Sequence, residues 1–539
     1  MPEPLAVSET IGGSGIDADG VTIAALREAL AAGSLSAREL TAFYLGRIER
    51  LNPALRAVIS VSADALSEAE ASDAARAQEA SRAGASDAAR AGGASGPSGT
   101  APGPLAGIPV LIKDNIAARG MPATAGSPAL AGAGQGDAWL VARLREAGAV
   151  ILGKANLSEW ANFRSSHSTS GWSTLGGQAA NPHALDRNPS GSSSGSGAAV
   201  AASLAPVAVG TETDGSIVCP ASACGIVGLK PTLGLVSRAG VVPVSLAQDT
   251  AGPMTRRVAD AAALLSAMAG ADPADPATAT AAGQPRDYTA FLDPGALAGA
   301  RIGVWRDGCA AAGPATVAVL ASALARLGGL GAHLVDPVEL PGADAISEPE
   351  FTALLAEFKH DLNAYLAAIP GDHPASLAGL IAYNSAREAS VLAHFGQEVF
   401  EQAEATDGDL AEPGYVAARA EASRRARESL DGPLAAHRLD AIVTLTANPA
   451  WLTDYHLGDH DVFHTSGPAA VAGYPTICVP AGGAFGLPVG LSFIGPAWSE
   501  PRLIALAYAF EQAAAARLTP TLQRTCPPPA AAGRAGTQR

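Results

Sequence analysis

From residue 107 to 156 the chain reads GIPVLIKDN, a loop, DAWLVARLREAGA and then VILGKAN. The first and last pieces are short continuous apolar runs, the pattern of strands buried on both faces. The middle piece has the spacing of an amphipathic helix. Strand, helix and strand at these lengths predict an α/β domain, because a parallel pair needs a crossover connection. The pattern resumes after residue 189 with a helix at 198–204, a strand at 206–210, a turn and GIVGLKPT. Near the end of the chain, YPTICVPAG and GLPVGLSFIGP predict two more strands, and EPRLIALAYAFEQAAAA a long helix.

The rest of the chain arranges itself around this frame. With 539 residues, 48% hydrophobic and 16% charged, a large core is available. Residues 1–21 read as an N-terminal extension to a domain covering 22–518. VTIAALREALAAGSLSARELTAFYLGRIERLN predicts two helices, broken at Gly33 and capped again by Ser36. Residues 72–103 form a low-complexity insert in which SDAARA occurs at 72–77 and again at 86–91. Its first part is expected to extend a helix, and GGASGPSGTAPG to be a flexible surface loop. Residues 258–440 are mostly helical in pattern, and 519–539, rich in Pro, Ala and Gly, read as a disordered tail.

A formal charge of −16, from 51 acidic and 35 basic residues, repels phosphate backbones and argues against nucleic acid as a partner. The N-terminus has neither a basic n-region nor an apolar h-region, and no apolar run reaches membrane-spanning length. The expectation is a cytoplasmic protein with no membrane partner. Cys219, Cys224, Cys309, Cys478 and Cys526 are scattered and odd in number, which fits free thiols in a reducing compartment.

Four stretches hold candidate chemistry. Lys113 ends an apolar strand, where a lysine either snorkels to the surface or is desolvated into a base. PSGSSSGSGAA, at 189–199, contains a G-x-S-x-G string centred on Ser193, but turn sequence rather than a strand leads into it. GTETDGS, at 210–216, follows an apolar strand and precedes a helix, so Ser216 is either a helix cap or a nucleophile beside a row of backbone N–H groups. His456, His460 and His464 would share a helical face and could hold zinc, with Asp459 and Asp461 between them. Gly458 and the two aspartates oppose a helix there, so a pocket-lining loop is expected.

Taken together, these segments resemble the amidase signature family of serine hydrolases from about residue 22 to 518, the insert excepted. The lysine motif stands as GIPVLIKDN, the glycine-serine motif as SGSSSGSGAA, and the nucleophile motif as GTETDGSIVCPASACGIVGLKPT. The resemblance implies a large mixed central β-sheet covered by helices on both faces, with 258–440 as a variable helical part over the site. It matches Lys113 to the catalytic lysine, Ser192 to a bridging serine on a cis peptide, and Ser216 to the acylated nucleophile. The backbone amides of Thr213, Asp214 and Gly215 match the oxyanion hole. The implied reaction is hydrolysis of a carboxamide through a serine acyl-enzyme, without metal or organic cofactor.

Two departures are informative. Val218 stands where many members carry arginine, and Ser190 where many carry glycine. Together with SEWANFRSS and VSRAGVVPVSLAQDTAGPM they resemble the bacterial peptide amidase branch, which implies a peptide amide substrate and a monomer or homodimer. The competing expectations are the glutamine-hydrolysing part of a tRNA-dependent amidotransferase and a non-catalytic binding protein on the same scaffold. An amide is a poor electrophile, and no histidine lies in the three motifs, so a neutral lysine acting through a serine is the base at hand.

Overall fold

The computed structural model describes residues 9–91 and 103–526. At its centre is an eleven-stranded mixed sheet. In chain order its strands are β1 (Val58–Val61), β2 (Pro109–Lys113), β3 (Val150–Ala155), β4 (Val207–Glu212), β5 (Val227–Lys230), β6 (Thr250–Thr255), β7 (Arg301–Val304), β8 (His333–Val335), β9 (Ala441–Leu445), β10 (Thr476–Ala484) and β11 (Leu487–Ile494). They lie in the order β1-β3-β2-β4-β6-β5-β10-β11-β9-β7-β8. β3, β2 and β4 are parallel, as the apolar runs predict. Every residue of these three strands is buried, which is why they show no polar alternation. From β6 to β11 the neighbours turn antiparallel.

The helices that matter below are α1 (Ile23–Ala31), α2 (Ala37–Leu55), α3 (Ala65–Ala91), α4 (Trp139–Glu146), α5 (Ser194–Ala201), α6 (Val218–Cys224), α7 (Val258–Met268), α8 (Ser347–Ala368), α9 (Pro413–Ala436) and α10 (Glu500–Ala514). α2 starts with a full capping box between Ser36 and Glu39. The helical start of the low-complexity insert has a structural task. Asp73, in its first SDAARA, accepts the N–H groups of Ala37 (2.8 Å) and Arg38 (3.0 Å) at the start of α2. The remainder of the insert, 92–102, lies outside the described residues.

Several boundaries differ from the sequence reading. The 258–440 region is not only a helical cover, because it also supplies β7 and β8, the far edge of the sheet. Strands of three and four residues are too short to stand out between long helices. The extension is tied down from residue 9: Ile11, Ala18 and Val21 are buried, and Asp19 pairs with Arg517 at 2.8 Å. The tail keeps its order through 526, since backbone polar groups there find partners. Leu522 N–H donates to Pro182 O at 3.0 Å, and Gln523 O accepts from Leu185 N–H at 2.9 Å. Residues 527–539 lie outside the described residues. No helix among the described residues is long and apolar enough to cross a membrane.

Candidate active site

Lys113 does not snorkel. It is 0% exposed at the end of β2. Its Nζ lies 2.8 Å from Ser192 Oγ, 2.8 Å from Thr211 Oγ1 and 3.0 Å from Thr211 O. Burial is the main influence on its pKa and lowers it to about 7, although the charges of Asp249 and Glu212 pull the other way.

The serine cluster is ordered, and its hydroxyls have separate tasks. The Gly191–Ser192 peptide bond is cis. A Cβ on Gly191 would lie 2.3 Å from Ser158 Oγ, so only glycine fits at that position. Ser193 Oγ donates to Thr211 O at 3.0 Å and accepts from Thr211 N–H at 3.2 Å, which fastens the cluster to β4. Ser194 Oγ donates to Ser190 O at 2.6 Å, and Ser196 Oγ to Val209 O at 3.1 Å. The helix predicted from 198 therefore begins at Ser194, inside the cluster. Ser193 is a fastener. Ser192 is the hydroxyl that faces the lysine.

Ser216 lies in the turn between β4 and α6, and its carbonyl accepts from Ser193 N–H at 3.1 Å. This backbone bond joins the nucleophile motif to the serine cluster next to Ser192. Ser216 does not cap α6, whose N-cap is Ile217. Glu212 Oε2 accepts instead from Ile217 N–H (2.8 Å) and Val218 N–H (3.1 Å). Gly215 has φ +76°, and a Cβ there would come within 2.8 Å of Ser466 Oγ and 2.9 Å of Cys219 Sγ. Thr213 Oγ1 donates to Asp249 Oδ1 at 2.5 Å. Asp249 also accepts from Val244 and Ser245 N–H, while burial pushes its pKa up to about 6.

Sequence reasoning missed Glu212 and Asp249. The available signal was an acidic residue set against an apolar strand in VGTE and again in AQDT, since a buried carboxylate needs hydrogen-bond donors.

The three histidines lie on the loop after β9 rather than on a helix. His460 Nε2 lies 3.2 Å from Asp454 Oδ2, and His464 Nδ1 donates to Asp461 Oδ2 at 2.6 Å. That bond, with Asp214 and Glu350 nearby, raises the His464 pKa to about 9. Among the described residues no three His, Cys, Asp or Glu side chains are arranged to hold a metal ion. His464 shares a cleft with Asp214, Trp305, Glu339 and Asp344, so the loop does line a pocket. The other end of the loop is anchored by Asp459, which accepts from Ser170 N–H (3.0 Å) and Asn188 Nδ2 (3.3 Å).

A buried lysine and a serine after a cis bond thus meet at the ends of β2 and β4, and a backbone bond ties the glycine turn that carries Ser216 to the residue after that serine. The amidase family pattern matches this chain over residues 79–504, a span holding all three. The chain belongs to the amidase signature family. This amidase is similar to the peptide amidase of Stenotrophomonas maltophilia, with a TM-score of 0.84 and 50% identity over 93% of this chain and 98% of that one. It is equally similar to a peptide amidase solved with the competitive inhibitor chymostatin, at TM-score 0.85 and 50% identity, covering 93% and 99% of the two chains. Likeness to the A-type subunit of glutamyl-tRNA(Gln) amidotransferase from Thermotoga maritima is lower, at TM-score 0.68 and 28% identity over 94% and 99%.

Proposed function

We propose that this amidase hydrolyses the C-terminal carboxamide of peptides to carboxylate and ammonia through an acyl-enzyme on Ser216. The observation that carries the reading is the buried Lys113 Nζ at 2.8 Å from Ser192 Oγ, with a pKa of about 7. A neutral lysine has two N–H bonds, which Thr211 O and Thr211 Oγ1 can accept, and a lone pair left for the Ser192 hydroxyl. Ser192 passes its proton to Lys113 as it takes the proton of Ser216. Ser216 Oγ then attacks the amide carbon. The N–H groups of Thr213, Asp214 and Gly215 stabilise the oxyanion. The proton returns through Ser192 to the departing nitrogen, which leaves as ammonia, and water cleaves the ester by the same relay.

The substrate class follows from charge. Val218 is an apolar side chain where many relatives place a cation. The nearby guanidiniums are already engaged, Arg238 by Asp275 (2.8 Å) and Arg419 by Glu357 (2.7 Å). The Asp461 hydrogen bond, with the charge of Asp214 close by, holds His464 protonated at the approach to the turn. Because Asp461 already holds that imidazolium, the α-carboxylate of glutamine would be desolvated there without a free cation, whereas a peptide amide is neutral at the scissile end. The 50% identity to peptide amidases, against 28% to the amidotransferase chain, supports the same choice. The test is kcat/KM for a dipeptide amide over that for glutamine, measured on the purified chain. A ratio well above one is expected, and a ratio at or below one moves the amidotransferase reading to first place.

A further inference from the structure

The turn that precedes Ser216 is gripped by a side chain to which the mechanism above gives no task. Gln248, buried just before β6, donates through Nε2 to Thr213 O at 2.9 Å and to Glu350 Oε1 at 2.6 Å. Its Oε1 accepts from Arg419 Nη1 at 3.0 Å. The carboxamide cannot be turned over, because that would set its oxygen against two acceptors and its NH₂ against a guanidinium. Glu350 comes from α8 and Arg419 from α9. Arg419 is itself fixed by Glu357, which also accepts from Ser245 Oγ (2.6 Å) and Tyr415 OH (2.8 Å).

The atom that Gln248 holds gives the contact its meaning. Thr213 O belongs to the same planar peptide group as Asp214 N–H, and in a trans peptide the two point in opposite directions. This peptide is not among the cis bonds of the chain. Fixing the carbonyl toward Gln248 therefore fixes the N–H toward the opposite side. The Thr213 hydroxyl, held by Asp249, stops the same residue from rotating.

We propose that Gln248 is a positioning residue that aims the Asp214 N–H at the oxyanion, and that Glu350 and Arg419 hold it for that task. The helical region over the site would thereby set the geometry of the turn beneath it. The proposal rests on the reading of the 213–215 amides as the oxyanion hole. A hydrogen bond to a carbonyl on the far side of a peptide acts on the transition state, where negative charge develops, more than on the bound amide.

The experiment compares wild type, Gln248→Met and Gln248→Glu with a dipeptide amide, the matching peptide aldehyde and the matching peptide alcohol. The aldehyde forms a bond from Ser216 Oγ to its carbonyl carbon, and the resulting oxygen occupies the hole. The alcohol occupies the site without such an oxygen. Gln248→Met is expected to lower kcat roughly 10- to 100-fold and to weaken the aldehyde by a similar factor. KM and alcohol affinity should stay within about twofold. Glu350→Gln, which keeps an acceptor for Nε2, should retain most of the activity. Should Gln248→Met fail to fold, Gln248→Glu answers the same question, because its carboxylate repels Thr213 O. Unchanged kcat and aldehyde affinity, or equal losses for aldehyde and alcohol, overturn the proposal and leave the Ser216 mechanism standing. A wild type that the aldehyde does not inhibit overturns both.

Discussion

Lys113 and Lys154 are both fully buried, one strand apart on the parallel pair β2 and β3. Burial lowers the pKa of both. Their surroundings differ in one respect. Lys154 Nζ donates to Ile116 O (2.6 Å) and Pro122 O (3.0 Å) and pairs with Asp114 Oδ1 at 3.4 Å. Lys113 Nζ meets two hydroxyls and a carbonyl in place of a carboxylate. Asp114 opposes the downward shift of Lys154 by direct contact, whereas at Lys113 the opposing charges of Asp249 and Glu212 act without a hydrogen bond to the amine. Burial drives the shift at both sites, and an ion-pair partner in contact opposes it at only one of them.

The widest separation of the two lysines should come from replacing each with methionine. Lys113→Met should fold and lose on the order of 10⁴-fold or more in kcat, measured as ammonia release. Lys154→Met strands Asp114 and should cost about 3–5 kcal/mol of stability, while the folded fraction keeps its turnover. If Lys154→Met abolished turnover in folded protein, the contrast between the two lysines would collapse.

The hydroxyl contacts come next. Ser192→Ala removes the relay and should lower kcat by roughly 10²–10³-fold, less than loss of the base, because a water can carry part of the transfer. Wild-type turnover in that variant would place the proton path elsewhere.

A smaller effect concerns stability. The folded pKa of Lys113 lies near 7, below its ordinary 10.5. Between those values the unfolded chain binds a proton that the folded chain does not, so stability rises with pH across that window. Lys113→Met lacks this cost. Its melting temperature relative to wild type should be most favourable below pH 7 and lose that advantage towards pH 10. A difference independent of pH would show that the lysine titrates normally.

The smallest expected effect lies at the entrance to the serine cluster. Ser190 has φ +62°, a conformation that suits glycine. Ser190→Gly should stabilise the fold by up to about 1 kcal/mol in chemical denaturation, with little change in kcat. A loss of stability would mean that the serine side chain holds the turn.

The pair of lysines also marks how far the sequence could be read. GIPVLIKDN and VILGKAN look alike as apolar strands ending near a lysine, and periodicity places both correctly in a parallel pair. It cannot say which lysine meets a carboxylate, because Asp114 follows Lys113 in sequence and yet turns to Lys154 in space. The family motif points to Lys113 and says nothing of Lys154. Gln248, Glu350 and Arg419 were illegible because they come from three distant segments and meet only after folding. β7 and β8 escaped notice since strands of three or four residues leave no periodic trace among helices. The packed residues from 519 to 526 escaped because small and proline-rich composition reads as disorder even where the backbone has partners.

Whether Lys113 works neutral is read from the pH dependence of kcat/KM for a dipeptide amide. The rate should rise through a single ionisation near pH 7 and level off on the alkaline side, following deprotonation of a lysine whose pKa lies at about 7. Three neighbours titrate nearby and are the competing sources of such a limb: Asp249 at about 6, Glu350 at about 8 and His464 at about 9. His464→Gln should leave the limb in place, while Thr211→Val, which removes the hydroxyl that Lys113 and Asn115 share, should move it. A profile flat from pH 5 upward, or a limb that disappears with His464, would contradict a neutral Lys113.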